Sequence, residues 1–225
     1  TFWLADRGSR FIEERHGSSY YDCPFYQSHY TQPVGHSTIL VDHNEQSQHA
    51  GDPLRFAEGF EDYAFIADFL DGKEAAFVSG DIGRLYWGKV KEMRRNALYL
   101  KPRTVPLLDT VEPAANDVDI TALFHGGYLQ DIQADPKAST VTKEKATLTV
   151  RHLYPETMAV KAEKTPSYLN TYREYPLHAE GMLTTTARTA GKPLVIANLL
   201  STDTGSLKTA AGAGPGGGSP GGRPL

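Results

Sequence analysis

The chain has 225 residues and a formal net charge of −4, with 40% apolar and 22% charged residues. That length and apolar fraction suffice for one domain with a sizeable core, and the charge balance leaves no basic footprint for nucleic acid. No apolar run reaches the ~20 residues of a membrane span, and Cys23, the only cysteine, excludes an intrachain disulfide.

Apolar and polar residues alternate in short bursts, with turn residues between them at the ~8–12-residue spacing of sandwiches and barrels. Residues 1–6 already read as strand, with Phe2, Leu4 and Asp6 on one face. No charged start followed by an apolar signal segment precedes them, so the chain reads as a piece of something longer. Phe11 and Ile12 form an isolated apolar pair, and 13–19 are polar and loop-like.

The most distinctive stretch is 20–48. Tyr20, Tyr21, Phe25, Tyr26 and Tyr30 lead into the strand His36-Ser37-Thr38-Ile39-Leu40-Val41-Asp42, and His16, His29, His43 and His49 lie on either side. Aromatic rings offer flat apolar surfaces on which sugars stack, and imidazoles near neutral pKa move protons or hold a metal. Strand geometry puts His36 on a face with Thr38, Leu40 and Asp42, opposite Ile39 and Val41. The stretch reads as the functional edge of an all-β domain.

Gly51-Asp52-Pro53 punctuates the chain, and strands are predicted at 54–60 and 63–70. Asp71-Gly72-Lys73-Glu74 fits a hairpin turn, its Asp-Gly pair suited to positive φ, after which 76–78 pair back. Further strands are expected at 85–87, 90–100, 104–111, 118–124, near 140–141, and at 146–154, 158–162, 181–189 and 194–200. Residues 90–100 hold helix-favouring Lys, Glu, Met, Arg and Ala, but their neighbours argue for strand. The expectation is an all-β, two-layer antiparallel β-sandwich over 1–202. Residues 203–225 turn abruptly to Gly, Ala, Pro and Ser, the composition of a flexible, disordered tail.

The histidines, with Asp52 or Asp62 as an oxygen ligand, form a candidate divalent-metal set for zinc or calcium, although their spacings match no compact zinc motif. His125, at a strand end before Gly126-Gly127, is placed to face a cleft, but a capped, solvated histidine is the preferred reading. His152, on a face with Leu148, Val150 and Tyr154, reads as a satisfied core imidazole. Lys89, Lys91, Arg94, Arg95 and Lys101 read as a solvated face or as a grip for sugar carboxylates, which arginine binds bidentately. Tyr20, Tyr21, Tyr26 and Tyr30 divide between core packing and sugar stacking.

Three features in order resemble the heparinase II/III-like family of polysaccharide lyases. The first is the aromatic approach into His36-Ser37-Thr38-Ile39-Leu40-Val41-Asp42. The second is Gly80-Asp81 with Leu85-Tyr86 ahead of Arg95-Asn96-Ala97-Leu98-Tyr99-Leu100. The third is Leu108-Asp109-Thr110-Val111, then the strand ending Leu123-Phe124-His125. Family members join an α/α toroid to a β-sandwich, and this chain resembles the sandwich alone. The resemblance implies β-elimination on an acidic, uronate-containing polysaccharide such as alginate or a glycosaminoglycan: a base takes the C5 proton and the bond at O4 breaks. It implies a periplasmic or extracellular parent whose toroid carries the catalytic tyrosine and the carboxylate-neutralising residues. His36 matches the family's central histidine, a metal ligand in some members. Those members carry a catalytic histidine two residues earlier, where this chain has Val34; His29 is then the substitute. The implied assignments are His36 and His29 for proton transfer, Tyr26, Tyr30 and Arg95 for substrate, and His36 with Asp52 for a metal. The alternative is a non-catalytic carbohydrate-binding or domain-bracing sandwich. No nucleic acid or membrane is expected as a partner.

Overall fold

The computed structural model describes residues 1–13, 28–29, 32–42, 64–86, 88–114, 117–127, 130–144, 146–168 and 177–203. The predicted strand at 54–60 and the predicted tail beyond 203 lie outside them. A two-stranded hairpin, β1 (Leu4–Asp6) and β2 (Ser9–Ile12), opens the chain. It turns through the left-handed residues Arg7 and Gly8 (φ 51° and 81°).

The larger layer has eight strands. Two run β4 (Phe65–Asp71) and β5 (Ala75–Asp81), joined by the expected 71–74 turn, which forms without a left-handed residue at Gly72. Beside them lie β6 (Val90–Leu100) and β7 (Thr104–Pro113), then, from the far end of the chain, β14 (Leu194–Ser201). The layer finishes with β11 (Ala146–Tyr154), β10 (Ala138–Lys143) and β9 (Asp131–Gln133). The smaller layer has the order β12 (Ala159–Tyr168), β13 (Leu177–Arg188), β8 (Asp119–His125), β3 (Ile39–Val41). Each pairing is antiparallel.

Period-two alternation decides which side chains meet between the layers. On the large sheet these are Met93, Leu107, Val111, Leu148, Val150, Ile196 and Leu200; on the small one, Ile39, Val41, Ile120, Ala122, Phe124 and Leu183, each nearly or wholly buried. Apart from the smaller Ala122, each such side chain contributes about 1.5–3 kcal/mol through removal from water. Despite its helix-favouring composition, 90–100 is strand: β5 and β7 pair with both of its edges, and tertiary pairing overrides propensity.

Sequence and structure part at several points. Leu85 and Tyr86, expected in a strand, lie in a 3-10 turn over Gly83–Tyr86. A Cβ on Gly83 would stand 2.7 Å from the Met93 backbone nitrogen, so only glycine permits the approach, and the buried Tyr86 hydroxyl donates to the Ile39 carbonyl. Strands β2 and β9 were not anticipated, being too short to show an alternation. The strand predicted at 158–162 extends to Tyr168, and that at 181–189 begins at Leu177.

His152 is the satisfied imidazole expected of it. Asn198 Oδ1 lies 2.8 Å from Nδ1 and the Ser139 hydroxyl 2.9 Å from Nε2. Since Asn198 Oδ1 only accepts, Nδ1 carries the proton and Nε2 accepts from Ser139. Burial depresses the His152 pKa below its ordinary 6.5, against smaller opposing effects of the Asn198 bond and Asp135. The unfolded chain therefore binds this proton more readily than the folded one, and stability falls as pH drops below about 6.5. Urea midpoints followed from about pH 8 to pH 5 are expected to decline over this window, and His152→Gln is expected to flatten that part of the profile.

Candidate functional site

The site is built on the segment entering β3. Pro33–Gly35 form a single 3-10 turn, its fixed proline φ suited to the first position. The Gly35 and His36 N–H groups donate to the Gln32 and Pro33 carbonyls, each at 3.0 Å. His36 then leaves the turn in extended backbone (φ −129°, ψ 152°). Residues 36–38 alternate in burial: His36 and Thr38 are half-buried, whereas Ser37 is fully buried.

Ser37 anchors the segment at both ends of its residue. Its Oγ accepts the backbone N–H of His125 at 3.0 Å, and its carbonyl accepts from Arg95 Nη1 at 3.0 Å. The His125 ring, 1% exposed, reaches back to the Val34 carbonyl at 2.9 Å. A carbonyl only accepts, so Nε2 bears the hydrogen. His125 is thus a buried brace rather than the solvated cap expected from sequence. Thr38 completes the attachment, its carbonyl accepting from Leu123 N–H at 2.9 Å. His36 is accordingly a half-buried residue on a backbone held from both sides.

Arg95 was expected to grip a sugar carboxylate. Its fork is filled from within: Nε and Nη2 donate to the two Asp109 oxygens at 2.7 and 2.8 Å. Asp109 is fully buried and the Arg95 side chain 11% exposed. The Phe2 ring centroid lies 5.5 Å from the guanidinium carbon, and Phe2 meets Phe124 edge-on at 6.2 Å. Arg95 therefore positions the His36 segment through Ser37. Asp109 gave a signal in the sequence: an acid between Leu107 and Val111 on the inward face requires a cation beside it.

His29 accepts or donates at Nδ1 with the Ser28 hydroxyl 2.7 Å away, and its carbonyl receives Gln32 N–H at 3.0 Å. Tyr26, Tyr30, Asp52 and Asp62, together with His16, His43 and His49, lie outside the described residues. Among the described residues no three His, Cys, Asp or Glu side chains gather as a metal site. His29 and His36 are the described members of the ligand set inferred from sequence.

Two cavities flank the segment. One, of about 330 Å³, is lined by Thr38, Phe2, Ile66, Gly80 and Arg95 among others. The other, of about 360 Å³, reaches Val34 and Leu40. His36 lines neither, but falls in sequence between Val34 and Thr38, which line one each. No helix among the described residues is long and apolar enough to cross a membrane.

No protein-family model matches this chain, and no curated protein matches it at a significant level. Solved structures do. The crystal structure of heparan sulfate lyase HepC from Pedobacter heparinus matches with a TM-score of 0.68 at 9% identity, covering 89% of this chain and 30% of that one. A heparinase III with methylated lysines gives 0.66 at 10% identity, covering 92% and 30%. A further heparinase III crystal structure gives 0.65 at 12% identity, covering 90% and 29%. The chain thus has the fold of a β-domain found in these polysaccharide lyases and spans about 30% of their length. The expected sandwich and the expected likeness are both borne out at the level of fold.

The buried pair supplies a test. Removing one partner of such a pair leaves an uncompensated charge and costs about 3–5 kcal/mol, whereas an apolar replacement of both is often neutral. Asp109→Leu is expected to lower the urea unfolding free energy by about that amount. The double variant Arg95→Met with Asp109→Leu is expected to recover most of it.

Proposed function

We propose that this chain is the β-sandwich part of a polysaccharide lyase that cleaves uronate-containing polysaccharides by β-elimination. The sandwich contributes one wall of the cleft and the His36 imidazole, and the helical part of the parent completes the site. The observation that carries this reading is the bracing of residues 33–38: buried contacts from Arg95, His125 and Leu123 fix the backbone and leave His36 half-exposed. Preorganisation of this kind is what proton transfer at a weak carbon acid demands. The fold shared with heparan sulfate lyase HepC and heparinase III supports the same reading.

In this proposal the C5 proton of the uronate leaves to a base, the C5 electron pair forms the C4–C5 double bond, and the O4 bond breaks with a proton returned to O4. His36 takes part in those transfers, with His29 as the second imidazole from the preceding loop. Tyr26 and Tyr30 offer stacking surfaces for the sugar. Arg95 acts through Ser37, and a divalent ion on His36 and Asp52 is an additional element of the proposal. Such polymers lie outside the cytoplasm, which places the parent in the periplasm or beyond the cell.

A bracing role without catalysis is the second reading, and one observation favours it. Strand β4 ends the eight-stranded layer, and its Ile66, Phe69 and Leu70 are about 70% exposed. Unpaired edges carrying exposed apolar side chains are normally covered.

The parent protein incubated with a panel of uronate polymers is expected to release an unsaturated product, seen as ultraviolet absorbance. His36→Ala is expected to lower the rate by about 10²–10⁴-fold with folding intact, and the 225-residue chain alone is expected to show no turnover. Silence across the panel, or full activity of the His36 variant, overturns the proposal and leaves the bracing role.

A further inference from the structure

The outer face of the small sheet is hollow. Register and alternation place three rows of side chains across it. One runs Leu40, Thr121, Thr186; the next Leu123, Thr184, Lys161; the third His125, Met182, Glu163. Leu40, Leu123 and Met182 form a small apolar floor with Val34, each of the three 5% exposed or less although they face away from the main core. Above that floor lies the cavity of about 360 Å³, with threonine hydroxyls on its wall and Lys161 and Glu163 at its rim. This size falls within the range of ligand sites, roughly 300–1,000 Å³, which combine apolar lining with a few convergent polar groups.

Three features distinguish the hollow from ordinary sheet surface. Thr184 lines the cavity, and no hydrogen bond to another described residue occupies its hydroxyl, which is left open to a polar group in the hollow. Lys161 and Glu163, two residues apart on one face of β12, form no ion pair with any described residue. The third row ends at His125, whose ring holds Val34 and whose backbone holds Ser37, so the hollow abuts the His36 segment.

We propose that this hollow is a subsite for one uronate unit of an acidic oligosaccharide. The aliphatic floor receives the C–H face of the pyranose ring, Thr184 bonds a ring hydroxyl, Lys161 pairs with the carboxylate, and Glu163 accepts from a hydroxyl on the opposite side. This rests on the carbohydrate reading above and adds Lys161 and Thr184 as specificity-determining residues. A lysine at a cavity rim acts as a mobile point charge, so its contribution is salt-dependent.

The test is calorimetric titration of the 225-residue chain with a uronate-containing tetrasaccharide and with the same sugar after its carboxyl groups are reduced to alcohols. The acidic sugar is expected to bind more tightly than the reduced one. Thr184→Val, which suits a strand, and Lys161→Gln, at an exposed position, are each expected to weaken acidic-sugar binding by about fivefold to tenfold. Lys161→Gln is also expected to erase the difference between the two sugars and the salt dependence. Equal affinity for both sugars, no binding, or unchanged binding by both variants overturns the subsite. Turnover of the same tetrasaccharide by the parent separates the two proposals. Lys161-dependent binding without turnover removes the lyase reading and keeps the subsite; turnover with an unaltered KM in Lys161→Gln does the reverse.

Discussion

One buried ion pair in the large sheet, Arg95 with Asp109, sets the position of the candidate site. Asp109 and Arg95 face each other across adjacent strands of the large sheet, at the boundary where the core divides into two apolar clusters. Desolvation of both ions is unfavourable, and the bidentate geometry offsets it. The remaining contact of Arg95 runs out of its own sheet to the Ser37 carbonyl at the entry to β3. An apolar pair of similar volume could fill the space but could not select that carbonyl. The charge therefore contributes direction where hydrophobic packing contributes only cohesion.

The second fixed point is His125, which closes the other side of the same segment. Its backbone and ring both bind within residues 34–37, so β8 and the loop before β3 are held in one register. Residue 36 is then the half-buried position between a buried glycine and a buried serine. The arrangement separates two tasks that often share one residue: Ser37 fixes the backbone, and His36 next to it is only half-buried.

Most of the sandwich was legible because its strands keep a two-residue period over most of their length. The strands β6, β7, β11 and β14 appear close to where Val90, Leu107, Leu148 and Ile196 demand an inward face. The 3-10 turn at Gly83–Tyr86 was not legible, since the close approach of Gly83 to β6 is a tertiary fact. His125 was misread for a related reason: the following glycines imitate a solvated end, while the partner that buries the ring lies 91 residues away in sequence. Asp109, on the inward face between Leu107 and Val111, already demanded a cation beside it.

Asp6 ties the end of the first strand to the chain just beyond the last. Its carboxylate receives the Thr202 hydroxyl at 2.7 Å and the Arg103 Nε at 3.2 Å, and its pKa is lowered, first by the Thr202 bond. Arg103 also stands 3.7 Å from Asp203. The hairpin that opens the fold and the strand that closes it are thus knotted at one corner of the molecule. A unit whose entrance and exit coincide can be spliced into a larger polypeptide, or relinked and reopened elsewhere, without pulling its layers apart.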